Sequence, residues 1–135
     1  MAYLDWSDHY SVKIKEIDKQ HRKLIDMINT LHEAMVARQG REAQKLIIDG
    51  MVDYAHSHFA LEERYMRESA FPWHATHKLE HEAFTVKALE LQKEVSNDGF
   101  ILTLEILNFL KDWLKEHILG TDMRYVEHLT RYGLK

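Results

Sequence analysis

The segment His77-Lys78-Leu79-Glu80-His81-Glu82-Ala83-Phe84-Thr85-Val86-Lys87-Ala88-Leu89-Glu90-Leu91 decides the fold. His77, His81, Phe84, Ala88 and Leu91, continued by Val95, recur at intervals of three and four, the spacing of one face of an α-helix. The stripe opens at His74, just after the only proline, Pro72, and ends at the turn residues Ser96-Asn97-Asp98-Gly99. Two of its members are histidines where the period expects apolar side chains. A buried imidazole costs free energy unless it meets a hydrogen-bond partner or a metal. The segment therefore predicts a core helix and, inside that core, chemistry.

Three further stretches carry the same period. Ile17, His21, Leu24, Ile25, Ile28, Leu31 and Met35 form one, closed by Gly40 as the expected C-cap. Ala43, Ile47, Met51, Tyr54, His58, Leu61, Glu62 and Tyr65 form another, which gives out before Ser69-Ala70-Phe71-Pro72. Ile106, Phe109, Leu110, Trp113, Leu114, His117 and Ile118 form the last, with Gly120 just beyond. The expected helices span about 17–39, 41–67, 74–96 and 100–119. Short links make neighbours antiparallel, so the predicted fold is all-α: an up-down-up-down four-helix bundle in one domain, residues 1–135. Residues 1–16, with Tyr3, Trp6 and Tyr10, are expected to pack along the outside as an arm, and Thr121–Lys135 as a short helix or extension.

Composition narrows the chemistry. The chain has 135 residues, 22 acidic and 18 basic, for a net charge of −4, which argues against a nucleic-acid binder. It has ten histidines and no cysteine, which removes disulfides, thiolate zinc sites and iron–sulfur clusters. One proline and five glycines are too few for a turn-rich β-fold. The acidic start lacks the apolar stretch of a secretory signal, and no run approaches the roughly 18 apolar residues of a membrane span. A soluble cytoplasmic protein is the expectation.

Five histidines, His21, His58, His77, His81 and His117, fall on core stripes. His21 and the His77/His81 pair stand near helix starts, and His58 with Glu62 and His117 near helix ends. Antiparallel packing brings those starts and ends together, so all five converge on one layer. His77 and His81, like His58 and Glu62, are four apart and share a face. Asp122 follows His117 by five, which would swing it off that face in a regular helix. Gly120 between them is expected to let the helix end or distort and turn the carboxylate inward.

Imidazole and carboxylate without thiolate suit iron, manganese or zinc. Five imidazoles and two carboxylates exceed one tetrahedral ion, so a dinuclear site is expected. With both carboxylates and a solvent oxygen bridging two six-coordinate ions, one position stays open, which suits a small diatomic ligand. The glutamate-rich bundle site built on Glu-x-x-His is excluded because that motif is absent, as is His-Glu-x-x-His.

Taken in order, Asp18-Lys19-Gln20-His21, His58-Phe59-Ala60-Leu61-Glu62-Glu63, His77-Lys78-Leu79-Glu80-His81 and Trp113-Leu114-Lys115-Glu116-His117-Ile118 leading to Asp122 resemble the hemerythrins, in particular single-domain bacteriohemerythrins, over essentially the full chain. The resemblance implies two iron ions with a bridging oxo or hydroxo group that bind O2 reversibly. It implies His77, His81 and His117 on one iron, His21 and His58 on the other, and Glu62 and Asp122 bridging. The open position falls on the iron with two histidines, where O2 takes two electrons and becomes a bound hydroperoxide. Leu24, Ile28, Phe59, Trp113, Leu114 and Ile118 lie within about a turn of the ligands and are the expected apolar O2 pocket; Leu114 matches a position lining that pocket in the family.

Glu63 and Asp18 are candidates to accept the outer N–H of a ligating histidine. His9, His32, His56, His74 and His128 match no ligand position. The implied role is an O2 carrier or store, a monomer, not an enzyme, delivering O2 to an O2-consuming enzyme. The alternatives are an O2 or redox sensor and a di-iron enzyme with peroxidase or nitric-oxide-reducing activity; the lack of an obvious general acid weighs against the last.

Overall fold

The computed structural model describes residues 3–97 and 103–135. Its helices are α1 (Lys15–Val36), α2 (Arg41–Glu68), α3 (His74–Val95), α4 (Leu104–Glu116) and the short α5 (Val126–Tyr132), with no strand among the described residues. α1 packs on α2 and α4, and α2 on α3. The fold is an all-α four-helix bundle with an N-terminal arm and a short C-terminal helix.

Local chemistry explains the boundaries. The Asp18 carboxylate accepts from the Ser11 hydroxyl (2.6 Å) and the Val12 amide (2.8 Å), fastening the arm to the first turn of α1. α1 stops at Val36 because Arg38 is left-handed (φ 57°) and the Gln39 amide bonds back to the Ala34 carbonyl at 2.9 Å. Gly40 is therefore not the C-cap of α1; it precedes α2 as its N-cap. Ala70 (φ 56°) ends α2 in the same way, with the Phe71 amide on the Met66 carbonyl at 2.8 Å. The Thr103 hydroxyl caps α4 by accepting from the Ile106 amide. The expected start of this helix near 100 and the turn residues Asp98 and Gly99 lie outside the described residues.

Two stripes are rotated from expectation. On α4, Leu107 is buried while Phe109 is 45% exposed. On α2, Ile48, Ala55 and Phe59 are buried where Ile47, Tyr54 and Leu61 were expected; these three are only partly buried. The arm packs against the bundle and buries Tyr10, Val12 and Ile14 in doing so.

The core is double. One apolar cluster runs through the bundle and includes Leu24, Ile28, Phe59, Phe84, Leu110, Leu114 and Ile118. A second, at one end, joins Val12, Ile14 and Ile17 to Tyr65, Met66, Phe71, Tyr125 and Leu129. Between them stand buried polar residues from α1, α2, α3 and the turn after α4: His21 after Ile17, Glu62 before Tyr65, His77 and His81 between Phe71 and Phe84, and Asp122 before Tyr125. A polar layer divides the core.

Candidate metal centre

His21, His58, Glu62, His77, His81, His117 and Asp122 are all at most 3% exposed. Their donor atoms form two groups that share Glu62. His77, His81 and His117 gather with Glu62 and Asp122, and His21 and His58 with Glu62, each group within 4.8 Å. The structure thus brings together all seven residues that the sequence pointed to.

Asp122 faces both groups. Its Oδ1 lies 2.9 Å from His77 Nε2 and 3.0 Å from His117 Nε2, and its Oδ2 lies 3.2 Å from His21 Nε2. Glu62 Oε1 lies 3.1 Å from His58 Nε2 and 3.3 Å from His81 Nε2; Oε2 is 3.7 Å from His21 Nε2 and accepts from the Tyr125 hydroxyl at 2.5 Å. Metal–donor bonds of about 2.1 Å place neighbouring ligands of an octahedral ion about 3.0 Å apart. The separations found match that spacing.

The hydrogen bonding fits a metal as well. Both nitrogens of His21 and His77, both oxygens of Asp122 and Glu62 Oε1 are buried without a hydrogen bond, although neighbours lie close. Such orphans are rare unless their lone pairs serve another purpose. His81 and His117 present Nε2 to each other at 3.0 Å. Their Nδ1 atoms face carboxylates, Glu63 at 2.9 Å and Glu80 at 3.2 Å, and His58 Nδ1 faces the Gln20 amide oxygen at 2.6 Å. These acceptors fix the ring proton on Nδ1 and leave Nε2 as a lone pair. Opposed lone pairs repel until a cation stands between them.

In the metal-free chain, protons take that place. Burial opposes charge on His21, but Asp122 and Glu62 outweigh it and push its pKa up to about 9. His117 is likewise pushed up to about 9, chiefly by Asp122 against burial. Burial prevails at His58, whose pKa falls. Glu62 and Asp122 are held well below the usual carboxylate range despite burial, Glu62 foremost by His58 and Asp122 foremost by His117. Both raised histidines carry a proton at pH 7.5 that a metal must displace. Loading cobalt(II) at that pH should release about two protons per chain, and apparent affinity should rise from pH 7 to 9. An indicator dye in weak buffer reads the release, and no pH change on loading would refute the assignment.

The outer partners correct the sequence reading in part. Glu63 meets His81, as expected. Asp18 does not approach a ligand histidine, because its oxygens are taken by Ser11 and Val12. Glu80, Gln20 and Tyr125 were missed; Glu80 and Gln20 stand inside the quoted motifs, while Tyr125 lies outside them. His74 is half-buried at the start of α3 and joins neither donor group. His32 stacks on Tyr3, and His128 bonds to the Ser69 carbonyl at 2.7 Å.

The spacing of Asp122 has a specific solution. His117–Thr121 is a π-helical turn, and the Asp122 amide bonds to the His117 carbonyl five residues back. A turn of that width puts residues five apart on one face. Gly120 does not create it: its φ is not left-handed, and a Cβ there would meet nothing.

Next to this layer lies an apolar cavity of about 20 Å³. Leu24, Ile28, Phe59, Trp113 and Leu114 line it, together with Met51, Ala55, Phe84 and Leu110. Ile118, though buried, is not part of the lining. Phe59 stacks on His81 at 4.0 Å and Trp113 on His117 at 4.5 Å, so the cavity walls are also the packing of the imidazoles.

Known proteins bear the same pattern. Residues 12–129 match the model of the hemerythrin HHE cation binding domain. A bacteriohemerythrin of Stenotrophomonas maltophilia (strain R551-3) is 40% identical over 98% of this chain and 88% of its own length. One from Clostridium acetobutylicum is 34% identical over 90% of this chain and 98% of its own. The crystal structure of a wild-type hemerythrin superposes with a TM-score of 0.90 at 28% identity, covering 96% of this chain and 99% of that one. With a buried His/Glu/Asp cluster able to bind metal, the chain belongs to the hemerythrin family.

Proposed function

We propose that the protein binds O2 reversibly at a non-haem di-iron centre, with His77, His81 and His117 on one iron, His21 and His58 on the other, and Glu62 and Asp122 shared. The observation that carries this reading is the cavity. At about 20 Å³ it has room for one small molecule and none for an organic substrate. Its lining is wholly apolar, so no side chain there can give or take a proton. That favours holding a ligand over transforming one. The iron pair, when bound, supplies the two electrons that O2 takes up and returns. The apolar wall keeps out the water that would discharge the bound ligand. As finer parts of the proposal, the protein is a monomeric cytoplasmic carrier or store, and an O2-consuming enzyme receives its O2.

The experiment loads the chain with ferrous iron without air, measures iron per chain, and records the visible spectrum while O2 is admitted and withdrawn. Two irons per chain and a ligand-to-metal band that appears and vanishes over repeated cycles are expected. Irreversible oxidation at first exposure would reject the carrier reading and favour a redox sensor or an enzyme.

A further inference from the structure

The π turn is held from outside by one residue of α3. Glu80 is 40% exposed at its side chain, yet both its oxygens are engaged. Oε1 faces His117 Nδ1 at 3.2 Å and accepts from the Thr121 hydroxyl at 2.7 Å; Oε2 lies 2.9 Å from the same hydroxyl. His117 and Thr121 are the first and last residues of the turn. We propose that Glu80 is a positioning residue that clamps the two ends of the π turn and so sets where Asp122 stands relative to His117. The inference rests on reading those two as ligands.

The physical need is plain. Left to itself, the segment would relax toward α-helical pairing, the commoner and better-bonded state. Five residues of α-helix turn through about 500°, leaving Asp122 about 140° around the axis from His117. Glycine strain does not hold the wide turn, since Gly120 is unstrained and open. Glu80 ties α3, which carries His77 and His81, to the turn that carries His117, so one carboxylate keeps three ligands in common register.

The test uses the full chain and separates clamping from charge. In the metal-free protein, Glu80→Ala should change the exchange rate of the Asp122 amide at least tenfold, as its bond to the His117 carbonyl gives way, and leave the α1 amides unchanged. Thr121→Val, which loses one arm, should act on the same amide to a smaller extent. Loaded with cobalt(II), Glu80→Ala should lose the ion to excess chelator about 10–100-fold faster. Glu80→Gln keeps an oxygen for His117 and an N–H for the Thr121 hydroxyl, so it should stay within about threefold of the parent in both measurements. Unchanged exchange at Asp122 in Glu80→Ala overturns the proposal. Damage in Glu80→Gln equal to that in Glu80→Ala overturns it too, by assigning the effect to charge. The exchange measurement needs neither iron nor O2, so failure of reversible O2 binding would leave its outcome readable.

Discussion

Replacing Asp122 by asparagine should reduce the metal content of the loaded protein from two ions per chain to one or fewer. Asp122 alone presents one oxygen to His77 and His117 and the other to His21. Asparagine keeps one oxygen and substitutes an amide nitrogen with no lone pair to offer a metal. Whichever way it turns, one histidine group loses the oxygen that Asp122 presents to it. The change also withdraws part of the charge that holds His21 and His117 protonated, so both pKa values should fall. Atomic absorption after desalting reads the metal, and a proton-release titration reads the histidines. Two ions per chain with unaltered proton release would show that Asp122 joins nothing.

Leu114→Ala should destabilise the metal-free protein by about 2–5 kcal/mol and speed irreversible oxidation of the oxygenated protein roughly tenfold. Leu114 is 6% exposed and lines the small cavity, so truncation enlarges a space beside the imidazole layer. The intact apolar cavity stays dry, whereas the enlarged one would reach the imidazole layer, whose polar groups give water its partners. Admitted water brings the proton that the apolar wall excludes. Denaturant unfolding checks the first effect, and decay of the visible band under air checks the second. An unchanged decay rate would remove Leu114 from any gating role while leaving it in the core.

The parts legible in the sequence were those that a period can carry. His21, His58, His77, His81 and His117 betrayed themselves because ligands in a bundle must occupy the apolar stripe, where an imidazole is conspicuous. The placement of Asp122 was legible only as a misfit of spacing. Its answer, an extra residue in one turn, depends on a tether from another helix that no local pattern records. Glu80 and Gln20 were invisible for the opposite reason: they lie beside the stripe on partly exposed flanks, where a polar residue needs no explanation. The burial of Val12 and Ile14 within the arm was not legible because a non-helical segment has no period with which to declare it. Asp18 was misjudged by proximity in sequence to His21, whereas its oxygens were already committed to fastening that arm.

The divided core bears on how the molecule comes apart. The two apolar clusters each cohere by burial, but the layer between them is joined by charge, by shared protons and, when loaded, by metal. Cooperativity across the domain therefore passes through that seam. With the ions present, the segment from Val12 to Ile17, the end of α2 and α5 open only with the rest. Without them, that end gains a local opening of its own at lower free energy. The state of the centre is thus written into the exchange behaviour of the second cluster, in residues that hold no coordinating atom.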